Sequence, residues 1–497
     1  MISEIVKELR EGSITNRKQL IALKRRHPVN GRIVKNSDVL EQLTDEEKQK
    51  FAQLLLRKPV RSNSGVLNIT VMTKQGPCPH GICYFCPIVP GVPFSYTGNE
   101  PASMRGKMRG WDPYLQIFDR LRQYYAIGHQ PSKIEVVVNG GTFLNHEVNY
   151  KEWFIRRIYQ ALNDYPVSRE DSNSLEDAKK INETAKHRLI ALVLETRPDS
   201  FDVDEVLRFG CTRIEFGVQN LDDNILKSVN RGHGVREVIE ATRIAKNAGL
   251  KVDFHMMVGL PGATIDSDIQ MFKELFSNEE FCPDGLKIYP TLLMKQAVLY
   301  KWAQNGDYEP INDDYVFNVL KIVKPSIPRY VRIKRIMRDI PLTVTVGKLK
   351  KGNIRELLWK EVKCNCIRCR EVGHKKLVSE PVIELHVNEY NASGGREIFI
   401  SFDDAKSDAL IGFLRLRLCE SGAFVRELHV YGNQLVVGAQ GLDFQHKGFG
   451  KRLLAEAELI AMKNNFKELK VISGVGVREY YNKLGYFFDG IYMSRQL

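Results

Sequence analysis

Seven short apolar runs alternate with longer amphipathic stretches between residues 61 and 345. They are VLNITVM (66–72), IEVVVNGG (134–141), RLIALVLET (188–196), RIEFGVQ (213–219), KVDFHMMVG (251–259), LKIYPT (286–291) and YVRIKRI (330–336). Strands that regularly alternate with helices predict an α/β fold with a parallel sheet, closed partly or wholly into a barrel. Such a barrel presents its chemistry at the C-terminal ends of its strands. Several distinctive loops fall there: a cysteine loop after the first run, Gly140 and Gly141 after the second, Glu195 to Asp199 after the third, Gln219 after the fourth and Leu260-Pro261-Gly262 after the fifth. They share one rim.

The first of these loops is KQGPCPHGICYFCPIVPG (74–91), with Cys78, Cys83 and Cys86 inside nine residues. Three thiolates shaped by Gly81 and several prolines can hold three irons of a four-iron cluster and leave the fourth iron open. A zinc knuckle or a group of buried free thiols is the plainer alternative, but zinc in a three-cysteine site recruits a fourth ligand. Nine cysteines, six of them in two tight triplets, suit metal ligation in a reducing compartment better than a disulfide framework. Cys211, Cys282 and Cys419 read as ordinary small apolar residues.

The rest of the chain divides around this barrel. Residues 1–60 read as a helical, basic lead, in which Arg17, Lys18, Lys24, Arg25, Arg26, Arg32 and Lys35 occur with no acid among them. They form either a solvated helix face or a surface that tracks phosphates. The formal net charge of +13 favours a polyanionic partner, with nucleic acid first. Residues 346–380 break the alternation with KCNCIRCREVGH (363–374), where Cys364, Cys366, Cys369 and His374 have the makings of a tetrahedral zinc site. A free-thiol loop is the alternative, and Cys282 is a distant candidate for the fourth ligand. No stretch approaches the length of an apolar membrane span, and the first residues lack the pattern of a secretory signal, so a cytoplasmic protein is expected.

Residues 381–497 change to a mixed α+β pattern, with strands in IFISFDD (398–404), IGFLRLRL (411–418), VRELHVYG (425–432) and LKVISG (469–474). Between them lies Gln445-His446-Lys447-Gly448-Phe449-Gly450-Lys451, a turn that opens a helix. Exposed amides at such a helix start bind pyrophosphate. The whole arrangement resembles the GNAT acyltransferase fold, which implies acetyl-CoA on Gln445, Gly448, Phe449 and Gly450. It implies a pantetheine arm along the backbone of Glu427, Leu428, His429 and Val430. Tyr480 and Tyr481 fall near the thioester of that family, unless they are helix-core aromatics.

The cysteine loop, GGTF (140–143), RIEFGVQ and LKIYPT together resemble a radical S-adenosylmethionine domain. The resemblance implies a 4Fe-4S cluster on Cys78, Cys83 and Cys86. It also implies S-adenosylmethionine with its amino group on Gly140 and Gly141, its carboxylate on Lys287 and its ribose on Gln219. A solvated lysine and a strand-end glutamine are the plain readings of the last two. With KPVRSNSGV (58–66), SYTGNEPASMR (95–105), LETRPD (194–199), HMMVGLPG (255–262), KIYPTL (287–292) and SGVGVREYY (473–481), the chain resembles the Elongator catalytic-subunit family in its prokaryotic form. That family implies a tRNA uridine(34) 5-carboxymethyltransferase. An adenosyl radical takes hydrogen from the methyl of acetyl-CoA, the carbon radical adds to C5 of the wobble uridine, and the thioester is hydrolysed.

The same resemblance assigns Lys133 to an acetyl-CoA contact from the radical domain. It also sets Lys321, Lys324, Arg329, Arg332, Lys334, Arg335 and Arg338 beside the N-terminal basic residues as a grip on the anticodon arm. Four residues separate the first two cluster cysteines where many members carry a long insertion, and Thr73 stands where some carry another cysteine. Prokaryotic members imply action without accessory Elongator subunits, and a homodimer is one candidate assembly. Two other classes compete. A protein lysine acetyltransferase would keep its activity without Cys78, Cys83 and Cys86, and a tRNA-binding scaffold would leave tRNA modification unchanged when Cys83 is lost.

Overall fold

The computed structural model describes residues 2–29, 31–57, 64–171, 174–375, 380–432 and 448–497. Seven strands form its first sheet: β1 (Leu67–Met72), β2 (Lys133–Asn139), β3 (Arg188–Thr196), β4 (Cys211–Gln219), β5 (Lys251–Val258), β6 (Gly285–Pro290) and β7 (Arg332–Ile336). They lie side by side in sequence order, every neighbouring pair parallel. β1 and β7 are the two edges, so the barrel is partial.

The strands are amphipathic with a period of two. In β2, Ile134, Val136 and Val138 are fully buried against helices, whereas Glu135, Val137 and Asn139 face an internal cavity. In β4, Ile214, Phe216 and Val218 take the helix side, and Arg213 and Glu215 the cavity. Helices Pro113–Ala126, Val148–Asp164, Val235–Asn247 and Ile265–Ser277 bury their apolar stripes in the same core. Asp112 and Thr264 fix two of their starts by accepting from backbone amides of the first turn. The polar face of the sheet thus points inward, and the lumen is charged.

The second sheet contains β8 (Ile383–Ala392), β9 (Gly395–Asp404), β10 (Ala409–Cys419), β11 (Gly422–Val430), β12 (Glu468–Val471), β13 (Phe487–Phe488) and β14 (Met493–Gln496). Its order is β13-β14-β12-β11-β10-β9-β8, and β11–β12 is its parallel pair. β8, β13 and β14 were not expected from sequence. β8 is an edge exposed on both faces for most of its length, so its residues carry no alternation to read. Helix Phe449–Lys463 packs on this sheet through Leu453, Leu454, Ala457 and Ala461.

This sheet seals the N-terminal mouth of the barrel. Arg426 donates to both carboxylate oxygens of Asp284 at 2.6 and 2.8 Å, to Glu397 at 2.8 Å and to the Leu250 carbonyl at 2.8 Å. Arg417 bonds Glu397 and Asn247, and Arg415 bonds Glu427 and the Tyr330 carbonyl. All three guanidiniums are buried. A buried charge stripped of its partner destabilises by about 3–5 kcal/mol, so this network fixes one docking geometry.

The N-terminal segment is helical as expected, with helices Ile2–Arg10, Arg17–Arg26, Asn36–Leu40, Asp45–Lys50 and Ala52–Leu55. It has its own small core around Ile5, Leu9, Leu20, Leu23 and Leu55. Among the described residues, no helix is long and apolar enough to cross a membrane.

Candidate active site and metal centres

The cysteine loop is held by its neighbours rather than by its own secondary structure. Gly81, at φ +84°, turns the chain so that its amide reaches the Cys78 carbonyl at 3.1 Å. Tyr84 donates to Val229, Leu299 donates to Tyr84, and Asn230 donates to the Ile82 carbonyl. Cys86 Sγ accepts from the Ser95 amide at 3.0 Å, and Arg231 points a guanidinium at Cys83 Sγ at 3.5 Å. Burial pushes the Cys86 thiol up to about 11 and also raises Cys78, so a bound cation is what would draw these groups into the thiolate form.

These three sulfurs border a cavity that is also lined by Gly140, Gly141, Thr196, Arg197, Gln219 and Arg231. The residues fit a cluster with a cofactor beside it. A Cβ on Gly140, at φ +148°, would fall on the Thr73 hydroxyl, so the wall keeps its shape only with glycine. Among the described residues, the buried hydroxyls of Thr73 and Thr196 have no hydrogen-bond partner. Gln219 adopts φ +75° at the end of β4 and lies on the cavity wall as expected.

Lys287 does not reach this cavity. Its amine sits on Glu215 inside the barrel, because β6 turns Lys287 to the lumen face. The cations that do border the cavity are Arg197 and Arg231, which sequence reasoning passed over. Arg197 clasps Asp199 with two bonds of 2.8 and 2.6 Å and bonds the Arg231 carbonyl at 2.9 Å. The signal for Arg197 lay in LETRPD, a strand-end loop already placed on the rim, whereas Arg231 lies in the turn between helix Asp223–Ser228 and helix Val235–Asn247.

Below the rim runs a buried polar chain. The Tyr96 hydroxyl donates to Glu195 at 2.9 Å. His255 lies 3.6 Å from Glu195 by Nδ1 and 3.2 Å from Glu215 by Nε2, and Lys287 completes the row. Burial lowers the His255 pKa, with Lys287 adding to the effect. Burial alone would raise Glu215, yet Lys287 and His255 outweigh it and hold the carboxyl well below its usual range.

At the opposite mouth is a cavity of about 340 Å³ shared by both sheets. β11 and β12 pair only from Ala423 to Val425, after which they part. Leu428 and His429 lie along the opened edge and line this cavity with Ser473, Gly474 and Tyr481. Glu427 also faces it, its carboxylate held by Lys251 at 3.0 Å and Arg415 at 2.9 Å. His429 Nε2 lies 3.0 Å from the Ser64 carbonyl. Val430 ends β11.

Gly448, at φ +84°, caps the helix that begins at Phe449, and among the described residues a Cβ there would meet nothing within 4 Å. The Tyr480 hydroxyl lies over Gly450. Tyr481 belongs to the core of the second sheet as well as to the cavity. Gln445, with His446 and Lys447, lies outside the described residues. Lys133 starts β2 opposite Arg188 and is not one of the residues that line the interdomain cavity.

Cys364, Cys366 and Cys369 gather with their sulfurs within 4.8 Å of one another, the spacing of ligands on one metal ion. His374 is not in the group. Its Nε2 lies 2.9 Å from Glu371 Oε1, and its ring packs edge-on to Trp359. Cys282 is also elsewhere, buried between the domains near Lys246. The expected fourth ligand is therefore corrected: a three-sulfur set is present, and the short turn Glu371–His374 pairs the imidazole with its own carboxylate.

The expected basic grip also needs correction. Arg17, Lys18, Arg25, Arg26, Arg32 and Lys35 are exposed, but Lys24 is buried and donates to Asn36 at 2.6 Å. Lys321 and Arg329 are exposed and paired with Glu361 and Asp408, and Lys324 is buried. Arg332 pairs with Glu371 and Lys334 with Asp253 around the barrel mouth. Arg335 and Arg338 line a further cavity beside the cysteines. β7 turns every second residue inward, so a basic run in sequence is not a basic surface.

Residues 74–275 match the model of the radical SAM superfamily, and residues 283–363 match that of the Radical_SAM C-terminal domain. Over the whole chain the sequence is 44% identical to the tRNA uridine(34) acetyltransferase of Methanocaldococcus infernus, covering 98% of that protein. It is 40% identical to the Elongator complex protein 3 of Dictyostelium discoideum, with 93% of this chain and 88% of the relative covered. The solved structure of the archaeal Methanocaldococcus infernus Elongator protein 3 with an N-terminal deletion superposes with a TM-score of 0.76, at 41% identity, over 87% of this chain and all of that one.

Proposed function

The chain belongs to the family of the tRNA uridine(34) acetyltransferases and Elongator complex protein 3, and on that premise we propose that it converts the wobble uridine of tRNA to 5-carboxymethyluridine with acetyl-CoA. One observation carries the reading. A middle cavity inside the barrel lies between the cysteine cavity and the cleft between β11 and β12 and has wall residues in common with each. That middle cavity shares Ser95, Glu195 and Gln219 with the first, and Thr70, Asn139 and Lys287 with the second.

A cluster with S-adenosylmethionine supplies a deoxyadenosyl radical able to take hydrogen from the acetyl methyl. The chain's own residues prepare for it. Cys78, Cys83 and Cys86 would hold the irons, and Gly140, Gly141 and Gln219 would border the cofactor. Arg197 and Arg231 replace Lys287 as the cations that face its anionic end. The barrel wall keeps water and stray hydrogen donors away.

The second sheet is read as a GNAT-type acyl-CoA domain. The amides after Gly448 would take the pyrophosphate, the open backbone of Glu427 to Val430 the pantetheine, and Tyr480 and Tyr481 would flank the thioester. Lys133 stays a proposed contact to acetyl-CoA. The new carbon–carbon bond would replace the C5–H bond of uridine, whose proton and one electron leave and balance the electron that starts the reaction, and thioester hydrolysis by water would release CoA and leave a carboxymethyl group. The exposed arginines and lysines of residues 17–35 would grip the anticodon arm, and the three clustered cysteines would bind zinc. The protein would act without accessory Elongator subunits, with a homodimer as a candidate assembly.

The test is anaerobic reconstitution with iron and sulfide, followed by incubation with S-adenosylmethionine, acetyl-CoA and a uridine-34 tRNA. Mass analysis of digested tRNA is expected to give carboxymethyluridine. Unmodified uridine alongside an intact cluster absorbance would remove the reading.

A further inference from the structure

The cysteine loop has an outer side as well as the side that borders the cavity. There it is stitched between two other segments. The Tyr84 amide donates to the Val229 carbonyl at 3.0 Å, the Leu299 amide to the Tyr84 carbonyl at 2.8 Å, and the Ile88 amide to the Gln296 carbonyl at 3.1 Å. The Tyr84 ring meets Trp302 of helix Val298–Asn305 edge to face, with centroids 5.2 Å apart. Ile82, Tyr300, Trp302 and Ala303 pack on the same apolar cluster as Cys83 and Cys86. These four and Tyr84 are only half-buried, and Ile88 is exposed. The aromatic pair thus reaches the surface one peptide bond from Cys83.

Charge around this face has one sign. Residues 74–99, which hold the cysteine loop, contain no acid, and neither do NILKSVNRGHGVR (224–236) and residues 285–306. Lys227, Lys295 and Lys301 are exposed in these segments, and among the described residues none of them makes an ion pair. The acids that close the segments are Asp223 and Asp307, and Asp223 is turned to the Val235 amide at 2.8 Å. Elsewhere on the surface, Lys321 and Arg329 are neutralised by Glu361 and Asp408. An aromatic and aliphatic centre with a charged rim is the form of a protein interface. Electron-transfer encounters are its small class, burying less than about 1,200 Å².

We propose that the face made by Tyr84, Ile88 and Trp302, rimmed by Lys227, Lys295 and Lys301, docks an acidic, low-potential one-electron carrier protein. The proposal rests on the function proposed above and names where the electron that starts that reaction enters. The balance is one electron: the carrier is oxidised by one, the iron site on Cys78, Cys83 and Cys86 is reduced by one, and no bond or proton moves in the transfer. The inner side of the loop borders a cavity of about 50 Å³, too small for a protein, so a donor of that size meets the loop from outside. Charge complementarity selects an acidic one and speeds its encounter by about 10- to 1,000-fold at low salt. The apolar centre sets this face apart from a nucleic-acid surface, which is polar and cationic throughout.

The test is anaerobic reduction of the loaded full chain, followed by stopped-flow absorbance and freeze-quench paramagnetic resonance of the cluster. Flavodoxin hydroquinone is the acidic carrier used as probe, and dithionite the small reductant. Lys227→Glu, Lys295→Glu and Lys301→Glu together are expected to slow reduction by flavodoxin at least about tenfold at low salt and to remove most of its salt dependence. Reduction by dithionite should hold. Lys360→Glu, Lys463→Glu and Lys467→Glu, exposed elsewhere, carry the same change of net charge and should leave the flavodoxin rate unchanged. An equal fall in that control, or a matching fall with dithionite, overturns the location. An unchanged flavodoxin rate in the first variant, whether or not tRNA binding weakens, overturns the dock and leaves the wobble-uridine reaction standing. The expected rates without any carboxymethyluridine support the dock and remove the reaction. A chain that takes up no cluster removes both.

Discussion

Asp268, buried under the loop that follows β5, accepts from the Gly259 amide at 2.8 Å and the Tyr315 hydroxyl at 2.9 Å through one oxygen, while the other has no partner among the described residues. Burial pushes its pKa up to about 6, against the pull of those two donors. A carboxyl raised in this way favours the fold below its unfolded value and loses that contribution as pH rises through about 6. Asp268→Asn keeps an acceptor and removes the charge. It should stabilise the protein by about 2–3 kcal/mol in urea melts at pH 7.5 and change little at pH 4. An equal effect at both pH values would show that the charge is not what matters. The clustered thiols give a second test at this scale. Cys364→Ser should lose bound zinc by elemental analysis while the iron of the first loop remains, and undiminished zinc would exclude the set. His374→Ala, by contrast, should retain the metal, since the imidazole is turned to Glu371. Spacing had offered His374 as a ligand, and only the path of the turn decided otherwise.

At the level of elements, the seven strands of the barrel were legible because each is a short apolar run set off from the next by an amphipathic helix. β8 was not, since an exposed edge needs no apolar face. The exit of β12 shows how a strand end can act beyond itself. A Cβ at Gly474 would run into the Ile190 carbonyl of β3. This close approach seats the second sheet against the barrel beside the interdomain cavity. Gly474→Ala must push the two apart, and overpacking of this sort costs about 1–3 kcal/mol. The expected outcome is roughly tenfold weaker acetyl-CoA binding by calorimetry, with cluster absorbance unchanged. Unaltered acetyl-CoA affinity would show that the cleft does not depend on this contact.

For the whole molecule, charge and its placement part company. The net charge of +13 is a sum over the sequence, but Arg213, Lys287, Lys334, Arg415, Arg417 and Arg426 spend theirs inside, on carboxylates of the lumen and the domain junction. The surface available to an anionic partner is narrower, and the exposed Arg25 and Arg26 belong to it. Reversing both to glutamate should weaken tRNA binding and flatten its dependence on salt by roughly one to two units of slope. Lys24→Ala should leave the salt slope alone and lower thermal stability instead, because that amine is buried on Asn36. An unchanged slope in the double arginine variant would take the N-terminal helices out of the interface.

The sequence by itself determined the seven strands of the barrel, as short apolar runs alternating with amphipathic helices, two cysteine triplets by spacing, and a family by motifs that survive as contiguous words. Those are local properties, written in neighbours along the chain. Tertiary structure alone decided which cations face solvent, that Arg197 and Arg231 rather than Lys287 border the cysteines, and that three cavities with shared walls line up along one barrel. These depend on which face of a strand a side chain takes and on what is folded opposite it from hundreds of residues away, and no local pattern records that.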